Sequence, residues 1–187
     1  MCAHRESPKQ VTDMKLVSAT QHADLRFGAG AFSLGHVLVA ETGAGIAAVL
    51  IGADTAELLA DLTARFPGAR IEPGAVGLDA VLTVIESPAR GFAGPLAVRG
   101  TDFQQRVWTA LTAIPAGETR SYTEVAQAIG APAAVRAVAG ACAANPIAVL
   151  IPCHRVLRGD GSLAGYRWGV ERKRALLARE RALALAA

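Results

Sequence analysis

The sequence predicts two domains, an α/β domain at the amino terminus followed by a mostly α-helical domain. Apolar runs with the spacing of strands and helices fill the first half, and two helix-opening motifs lie in the second half. A segment rich in glycine and proline, residues 87–95, separates them. We therefore predict domains at 23–95 and 96–187, preceded by a flexible leader at 1–22 that shows no periodicity.

The composition is that of an intracellular protein that folds around a hydrophobic core. Apolar residues make up 52% of the 187 residues and charged residues 19%, and no apolar run approaches the roughly 18 residues that a membrane span needs. The first 22 residues lack the pattern of a signal peptide, so we expect a cytoplasmic location and no membrane partner. The three cysteines match neither a disulfide framework nor a zinc site, so we expect free thiols and no metal.

The charge is distributed unevenly between the two halves. Residues 1–95 carry seven basic and ten acidic side chains, whereas residues 96–187 carry twelve basic and six acidic ones. Eleven of those twelve basic residues are arginines. The second half therefore suits an anionic partner, although charge alone fits a solvated basic face equally well.

The first domain is predicted to contain a hairpin and two helices. Apolar residues dominate 32–40 and 46–51 around a glycine-rich turn at 41–45, which is typical of two strands joined by a turn. Residues 54–66 and the segment from Leu78 to Ile85 have helical apolar spacing. This domain has no cluster of reactive side chains, so we interpret it as a scaffold.

The second domain opens with two capping motifs. Thr101 with Gln104, and Ser121 with Glu124, have the spacing of a capping box. The second of these helices ends at a turn over 130–132, and a further helix runs to about Ala144. A helix, a short turn containing glycine and another helix form the helix-turn-helix pattern of many DNA-binding proteins.

The helix after that turn has almost no side chain that could read a base edge. Its residues are mainly alanine and valine, with Arg136 as the exception. Small residues such as Ala137 and Gly140 would let the helix approach the minor groove of double-stranded DNA, where recognition is largely independent of sequence. Taken alone, the alanines are better explained as good helix formers in tight contact with a neighbouring helix.

The reactive side chains follow a predicted buried strand, residues 147–151. The segment Pro152-Cys153-His154-Arg155-Val156 places a thiol beside a histidine and an arginine, which can stabilise a thiolate. His154 could reach Cys153 through a bent backbone or through a water molecule. The alternative is a buried thiol beside a structural histidine.

The rest of the chain is predicted to contain a hairpin, a loop and a helix. Residues 157–163 have a Gly-Asp-Gly turn, which favours a β-hairpin and hence a wing after the helix-turn-helix. Residues 165–169 form a loop rich in aromatic and basic side chains, and residues 170–186 have the apolar pattern of a helix.

These motifs resemble the O6-alkylguanine-DNA alkyltransferases, particularly the carboxy-terminal repair domain of the bacterial adaptive-response protein. The resemblance rests on Pro152 to Val156 and on the segments 100–104, 114–119, 121–122 and 136–138. It implies a ribonuclease-H-like α/β first domain and a mostly α winged helix-turn-helix second domain. It also implies direct-reversal DNA repair, in which one alkyl group moves from O6-alkylguanine, and also from O4-alkylthymine, to the protein after base flipping.

The resemblance assigns the reaction to a few residues. Cys153 would accept the alkyl group, His154 would act as its base through a bound water, and Glu180 would orient the histidine. Asn145 would brace the turn before the cysteine. Each molecule would react once as a monomer, with no cofactor.

The resemblance also assigns the DNA and substrate contacts. Arg136 would fill the vacated base stack, Tyr122 would push the 3′ phosphate, and Ala137 and Gly140 would lie against the groove. The extruded base would be held by four residues, Val156, Leu157, Tyr166 and Arg167. Arg167 and Trp168 make this loop bulkier than in some members of the family.

Two other functions are compatible with parts of the sequence. A DNA-binding regulator or lesion-marking protein would share the helix-turn-helix but would not need the nucleophile. A cysteine hydrolase would use Cys153 and His154 but would leave the basic second half unexplained and has no evident oxyanion hole.

Overall fold

The computed structural model describes residues 15–18, 24–74 and 77–185. Six strands form one mixed sheet in the order β1-β6-β4-β3-β2-β5. Their bounds are Lys15–Ser18 (β1), Leu25–Phe32 (β2), Gly35–Thr42 (β3), Gly45–Gly52 (β4), Ile71–Pro73 (β5) and Pro95–Val98 (β6). A second sheet consists of β7 (Arg120–Ser121) and β8 (Val156–Leu157), which pair in parallel.

The described residues also form six α-helices. They are α1 (Thr55–Arg65), α2 (Leu78–Glu86), α3 (Asp102–Thr112), α4 (Tyr122–Ala128), α5 (Val135–Ala144) and α6 (Val170–Leu185). Single 3-10 turns lie at Pro88–Arg90 and Cys153–Arg155. The chain is therefore a mixed sheet packed with helices.

The predicted hairpin is confirmed by the antiparallel pairing of β3 with β4. Strand β2, which the sequence pattern did not predict, pairs with the other side of β3. Its sequence alternates glycine with alanine and lacks the β-branched residues that mark a strand, so its pairing depends on the neighbouring hairpin.

The two faces of the sheet belong to different cores because neighbouring side chains on a strand point in opposite directions. Leu38 and Leu50 pack with Leu58 and Leu62 of α1. The opposite face of β3 and β4 joins a cluster that includes Trp108, Val138 and Ile151 of the second half. Residues of both halves of the chain therefore pack together in this second cluster, which forms a shared hydrophobic core.

Two predicted boundaries differ from the structure. Residues 15–18, expected within a flexible leader, form β1, while residues 1–14 and 19–22 lie outside the described residues. Strand β1 pairs in parallel with β6, which itself pairs with β4. Because β6 spans residues 95–98, the sheet of the first domain extends past the predicted boundary at residue 95.

Both capping boxes predicted in the second half are confirmed. The Thr101 and Ser121 side chains accept from the N3 amides, and Gln104 and Glu124 accept from the N-cap amides. Gly130 lies two residues after the end of α4 and has a φ of 70°, a conformation that favours glycine. Helices α4 and α5 are thus joined by a short turn, as the sequence predicts.

The predicted hairpin at 157–163 is wrong. Leu157 pairs with Ser121 of β7, and the following residues form a turn in which the Arg158 amide donates to the Ser162 carbonyl at 3.0 Å. The Asp160 carboxylate accepts from the Ser162 amide at 2.9 Å. This side-chain contact stabilises the turn locally, so the second strand of a wing does not form here.

Candidate active site

The segment before Cys153 is a compact turn, so the predicted strand over 147–151 is wrong. Only one isolated bridge, Val49 with Ile147, links this described segment to the sheet. The Asn145 side chain accepts from the Ile147 amide at 2.9 Å and donates to the Ile151 carbonyl at 2.8 Å. The fully buried Asn145 amide therefore closes the turn from inside.

The turn contains one backbone outlier. Val149 has a φ of 66°, an unfavourable conformation for a β-branched residue, and the Leu150 amide donates to the Ala148 carbonyl at 2.7 Å around it. The Val49 amide donates to Pro146, and the Val49 carbonyl accepts from Ala148. Strand β4 of the first half thus holds the strained turn that leads to the cysteine.

Cys153 begins a 3-10 turn and is 4% exposed. The Asn145 side chain donates to its sulfur at 3.2 Å. Burial raises the pKa of the Cys153 thiol to about 11, while the Asn145 hydrogen bond and the positive charge of Lys173 oppose that rise. The resting side chain is therefore a thiol, and a base has to remove its proton before attack.

His154 and Glu180 form a buried pair. The His154 Nε2 lies 2.8 Å from the Glu180 Oε1, and the two side chains are 0% and 1% exposed. Burial lowers the pKa of His154 despite its bond to Glu180, so the imidazole is neutral at pH 7. Its other nitrogen, Nδ1, is buried without a hydrogen-bond partner among the described residues. With Nε2 protonated towards the carboxylate, Nδ1 is free to accept a proton.

Glu180 is held by more groups than the sequence suggested. Arg155 donates to both of its carboxylate oxygens, and the Gly117 amide donates to Oε2 at 3.2 Å. Burial alone would raise the pKa of the Glu180 carboxyl, but the bonds and charges of His154 and Arg155 lower it to about 2. Arg155, expected to stabilise the thiolate, instead binds Glu180 and the Ile114 carbonyl.

Lys173 is a charged residue near the thiol that the sequence analysis missed. It is fully buried in α6, and its Nζ donates to the Val156 carbonyl at 2.6 Å. Its charge lowers the pKa of Cys153, although burial lowers the pKa of the ammonium itself. A lysine seven residues before Glu180 lies two helical turns away on the same face, and that spacing is the signal that could have identified it.

A cavity of about 540 Å³ opens onto Cys153. Its wall contains Tyr122, Ala139, Cys142, Ala143, Arg158, Ala164, Gly165, Tyr166 and Arg167. Cys142 therefore lies in the same cavity as Cys153. Burial and the neighbouring Cys153 raise the pKa of Cys142 to about 12, so it is the less readily ionised of the two.

The structure brings together only part of the predicted substrate site. Tyr166 and Arg167 line the cavity, whereas Val156 and Leu157 are absent from its wall and lie in β8. The Tyr166 hydroxyl is buried without a partner among the described residues, and burial raises its pKa well above the usual value. It therefore remains a hydrogen-bond donor available to a ligand.

The residues predicted to contact DNA lie on and beside α5. Arg136, Ala137 and Gly140 are all exposed on this helix, and a Cβ on Gly140 would meet no atom within 4 Å. Tyr122 lies at the start of α4 and lines the cavity. Burial raises its pKa to about 12. The exposed side of α5 is thus a smooth surface with one long cation, next to the cavity that contains Cys153.

None of the helices in the described segments is long and apolar enough to cross a membrane. Within the same segments, no three side chains among His, Cys, Asp and Glu are grouped so that they could hold a metal ion.

A family model matches the second half of the chain, and one of the relatives matches most of it. A family model described as the DNA-binding domain of 6-O-methylguanine DNA methyltransferase matches residues 102–182. The bifunctional transcriptional activator and DNA repair enzyme Ada of Escherichia coli is 50% identical over 160 residues, covering 83% of this chain and 45% of that protein. A methylated-DNA–protein-cysteine methyltransferase of Mycobacterium tuberculosis is 61% identical over 89 residues, covering 48% of this chain and 54% of that protein.

Solved structures also match most of the chain. The M. tuberculosis protein OGT, in a crystal structure with DNA, is 39% identical with a TM-score of 0.72. The match covers 84% of this chain and 93% of that one. The chain spans about half the length of the curated relatives it matches first.

Proposed function

The chain belongs to the methylated-DNA–protein-cysteine methyltransferase family, and we propose that it repairs DNA by moving the alkyl group of O6-alkylguanine onto Cys153. The observation that carries the proposal is a buried series of thiol, histidine and carboxylate beside an open cavity. Such a series supplies a nucleophile, a base and the group that orients the base.

The thiol would be activated through His154. The unpartnered Nδ1 of His154 accepts the thiol proton through a bound water, and Glu180 stabilises the imidazolium that results. Asn145 and Lys173 favour the developing thiolate, since both lower the pKa of Cys153. These contributions matter because burial holds the resting thiol in its protonated form.

Alkyl transfer then needs no cofactor. The sulfur forms a bond to the alkyl carbon as the bond from that carbon to O6 breaks, and the electron pair of that bond stays on the base. The Tyr166 hydroxyl hydrogen-bonds O6 in the cavity. The base takes up one proton from water to become guanine, and His154 returns to water the proton that it received from the thiol, so protons balance. The product on the protein is a thioether, which is a poor leaving group, so each molecule reacts once. O4-alkylthymine presents the same bond and would react in the same way.

The base must leave the duplex to reach Cys153 because neighbouring base pairs block the line of attack. We propose that α4 and α5 act as a helix-turn-helix whose second helix enters the minor groove. The exposed small residues of α5 support a close approach, and Arg136 would enter the space that the base vacates. Tyr122, between this helix and the cavity, would press on the 3′ phosphate.

We also propose a ribonuclease-H-like fold for the first domain and a helix-turn-helix fold for the second. The antiparallel β2-β3-β4 unit with α1 on one face supports a ribonuclease-H-like first domain. The turn at 158–162 would take the place of the wing after the helix-turn-helix. A structure of the protein bound to duplex DNA would test whether α5 enters the minor groove and whether the chain divides into these two domains.

The proposed activity predicts a covalent change on one peptide. Incubation with an equal amount of duplex containing O6-methylguanine should add a methyl group to the Cys153 peptide, in exchange for the thiol hydrogen. Mass spectrometry of the digested protein measures it, and an unmodified duplex is the control. An unchanged mass after stoichiometric incubation would rule out the function.

Arg136→Ala should weaken repair in duplex DNA about tenfold while leaving reaction with free O6-benzylguanine base within about twofold. The reason is that a free base needs no extrusion, so a side chain that holds the stack open has no role there. Single-turnover rate constants on the two substrates measure the difference. Equal losses on both would contradict the assignment of Arg136.

A further inference from the structure

One wall of the cavity is a loop, residues 164–169, which we call the pocket loop. Four of its residues, Ala164, Gly165, Tyr166 and Arg167, line the cavity. The described backbone of the loop contains neither helix nor strand. Its last turn is held by a hydrogen bond from the Gly169 amide to the Tyr166 carbonyl and by Trp168, which is buried in the core, while Arg167 contacts other elements of the fold.

Arg167 makes two contacts that connect the pocket loop to helices α5 and α1. Its Nη1 donates to the Ala143 carbonyl of α5 at 3.3 Å, and its Nη2 lies 3.5 Å from the Asp61 Oδ1 of α1. Asp61 is itself held by Arg65, whose Nε donates to the other carboxylate oxygen at 3.0 Å. The carboxylate thus lies between two arginines, one on its own helix and one on the loop.

The Arg167 to Asp61 pair is the polar contact that links the cavity wall to the first domain. Among the hydrogen bonds and ion pairs of the described residues, no other joins a residue that lines this cavity to residues before 100. The two side chains are 35% and 38% exposed, so the pair is weak enough to open and close. If this ion pair separates, the Arg167 side chain can move away from the cavity wall, and the neighbouring Tyr166 can shift with it.

We propose that Asp61 is a positioning residue that holds the pocket loop closed through Arg167 and so limits the size of the alkyl group that reaches Cys153. This inference rests on the proposed function of the cavity. It gives the first domain a part in substrate selection, whereas its sequence suggests only a scaffold. A closed loop keeps the Tyr166 hydroxyl on the small O6-methyl substrate, and a loosened loop admits a larger group.

The test compares Asp61→Asn with Glu57→Gln, which removes the same charge from an exposed position on the same helix. Single-turnover rates are measured on duplexes with O6-methylguanine and with O6-benzylguanine. Asp61→Asn should raise the ratio of benzyl to methyl rates by up to about fivefold, the range that an exposed ion pair allows. Glu57→Gln should leave the ratio unchanged, and Asp61→Glu should restore it.

A second measurement follows the loop itself. Amide hydrogen exchange of the peptide covering 164–169 should be faster in Asp61→Asn than in the unaltered protein and in Glu57→Gln. An unchanged rate ratio overturns the proposal, as does an equal rise in Glu57→Gln, which would indicate a general charge effect on DNA binding. If the unaltered protein transfers no alkyl group, the proposed function fails, while hydrogen exchange still tests whether Asp61 holds the loop.

Discussion

Replacing Cys153 by serine should abolish alkyl transfer and leave the affinity for duplex DNA within about twofold. A hydroxyl holds its proton far more tightly than a thiol and is a weaker nucleophile, so the rate should fall by roughly a thousandfold or more. The Asn145 side chain can still donate to the new oxygen, which preserves the turn. Single-turnover kinetics and fluorescence anisotropy on an O6-methylguanine duplex measure the two quantities.

The second thiol in the cavity provides the matched control. Cys142→Ala removes a side chain of the same cavity wall but leaves Cys153 in place, so it should retain transfer. Mass spectrometry would locate the alkyl group on Cys153 in this variant. Transfer by Cys153→Ser, with the alkyl group on Cys142, would contradict the assignment of the acceptor.

Glu180→Gln should reduce both activity and stability. The amide cannot balance the charge of Arg155 or of a protonated His154, and both contacts are buried. Replacing one partner of a buried ion pair lowers the free energy of unfolding by about 3–5 kcal/mol. Removing the carboxylate that orients the histidine lowers the rate about a hundredfold or more. Urea unfolding and single-turnover kinetics measure these effects.

The matched control lies on the same helix. Glu171→Gln changes an exposed carboxylate of α6 that pairs with Arg174, so it should change stability by less than about 1 kcal/mol. Equal losses in the two variants would show that α6 tolerates no such substitution and would contradict a specific role for Glu180.

The pKa values of the pair also predict how stability depends on pH. The folded pKa of Glu180, about 2, is below its unfolded value, so its stabilisation is complete above pH 4.5 and is lost as the pH falls towards 2. The pKa of His154 is lower in the folded protein than its unfolded value of 6.5, so stability also falls as the pH drops below 6.5. The unaltered protein should therefore lose roughly 3 kcal/mol of Glu180 stabilisation across the acid range, whereas Glu180→Gln should show a flatter profile below pH 4.5.

Local signals identified much of the second half because they require only neighbouring residues. Each capping box depends on side chains three residues apart, and both were confirmed. The turn at Gly130 also follows from a local backbone preference. The predicted strand at 147–151 and the predicted hairpin at 157–163 failed because Asn145 and Asp160 bind backbone groups that a sheet would otherwise use.

Sequence alone predicted Cys153 as the nucleophile, through the family resemblance of residues 152–156, and it also predicted the two helix-opening motifs and the small residues of α5. These follow from residue type and short spacing. Tertiary structure alone placed Arg155 on Glu180, Lys173 beside the thiol, Cys142 in the cavity and Asp61 against the pocket loop. The partners in the first and last of these pairs are 25 and 106 residues apart in sequence. Such contacts depend on how helices pack around the shared core, which no local pattern of residues specifies.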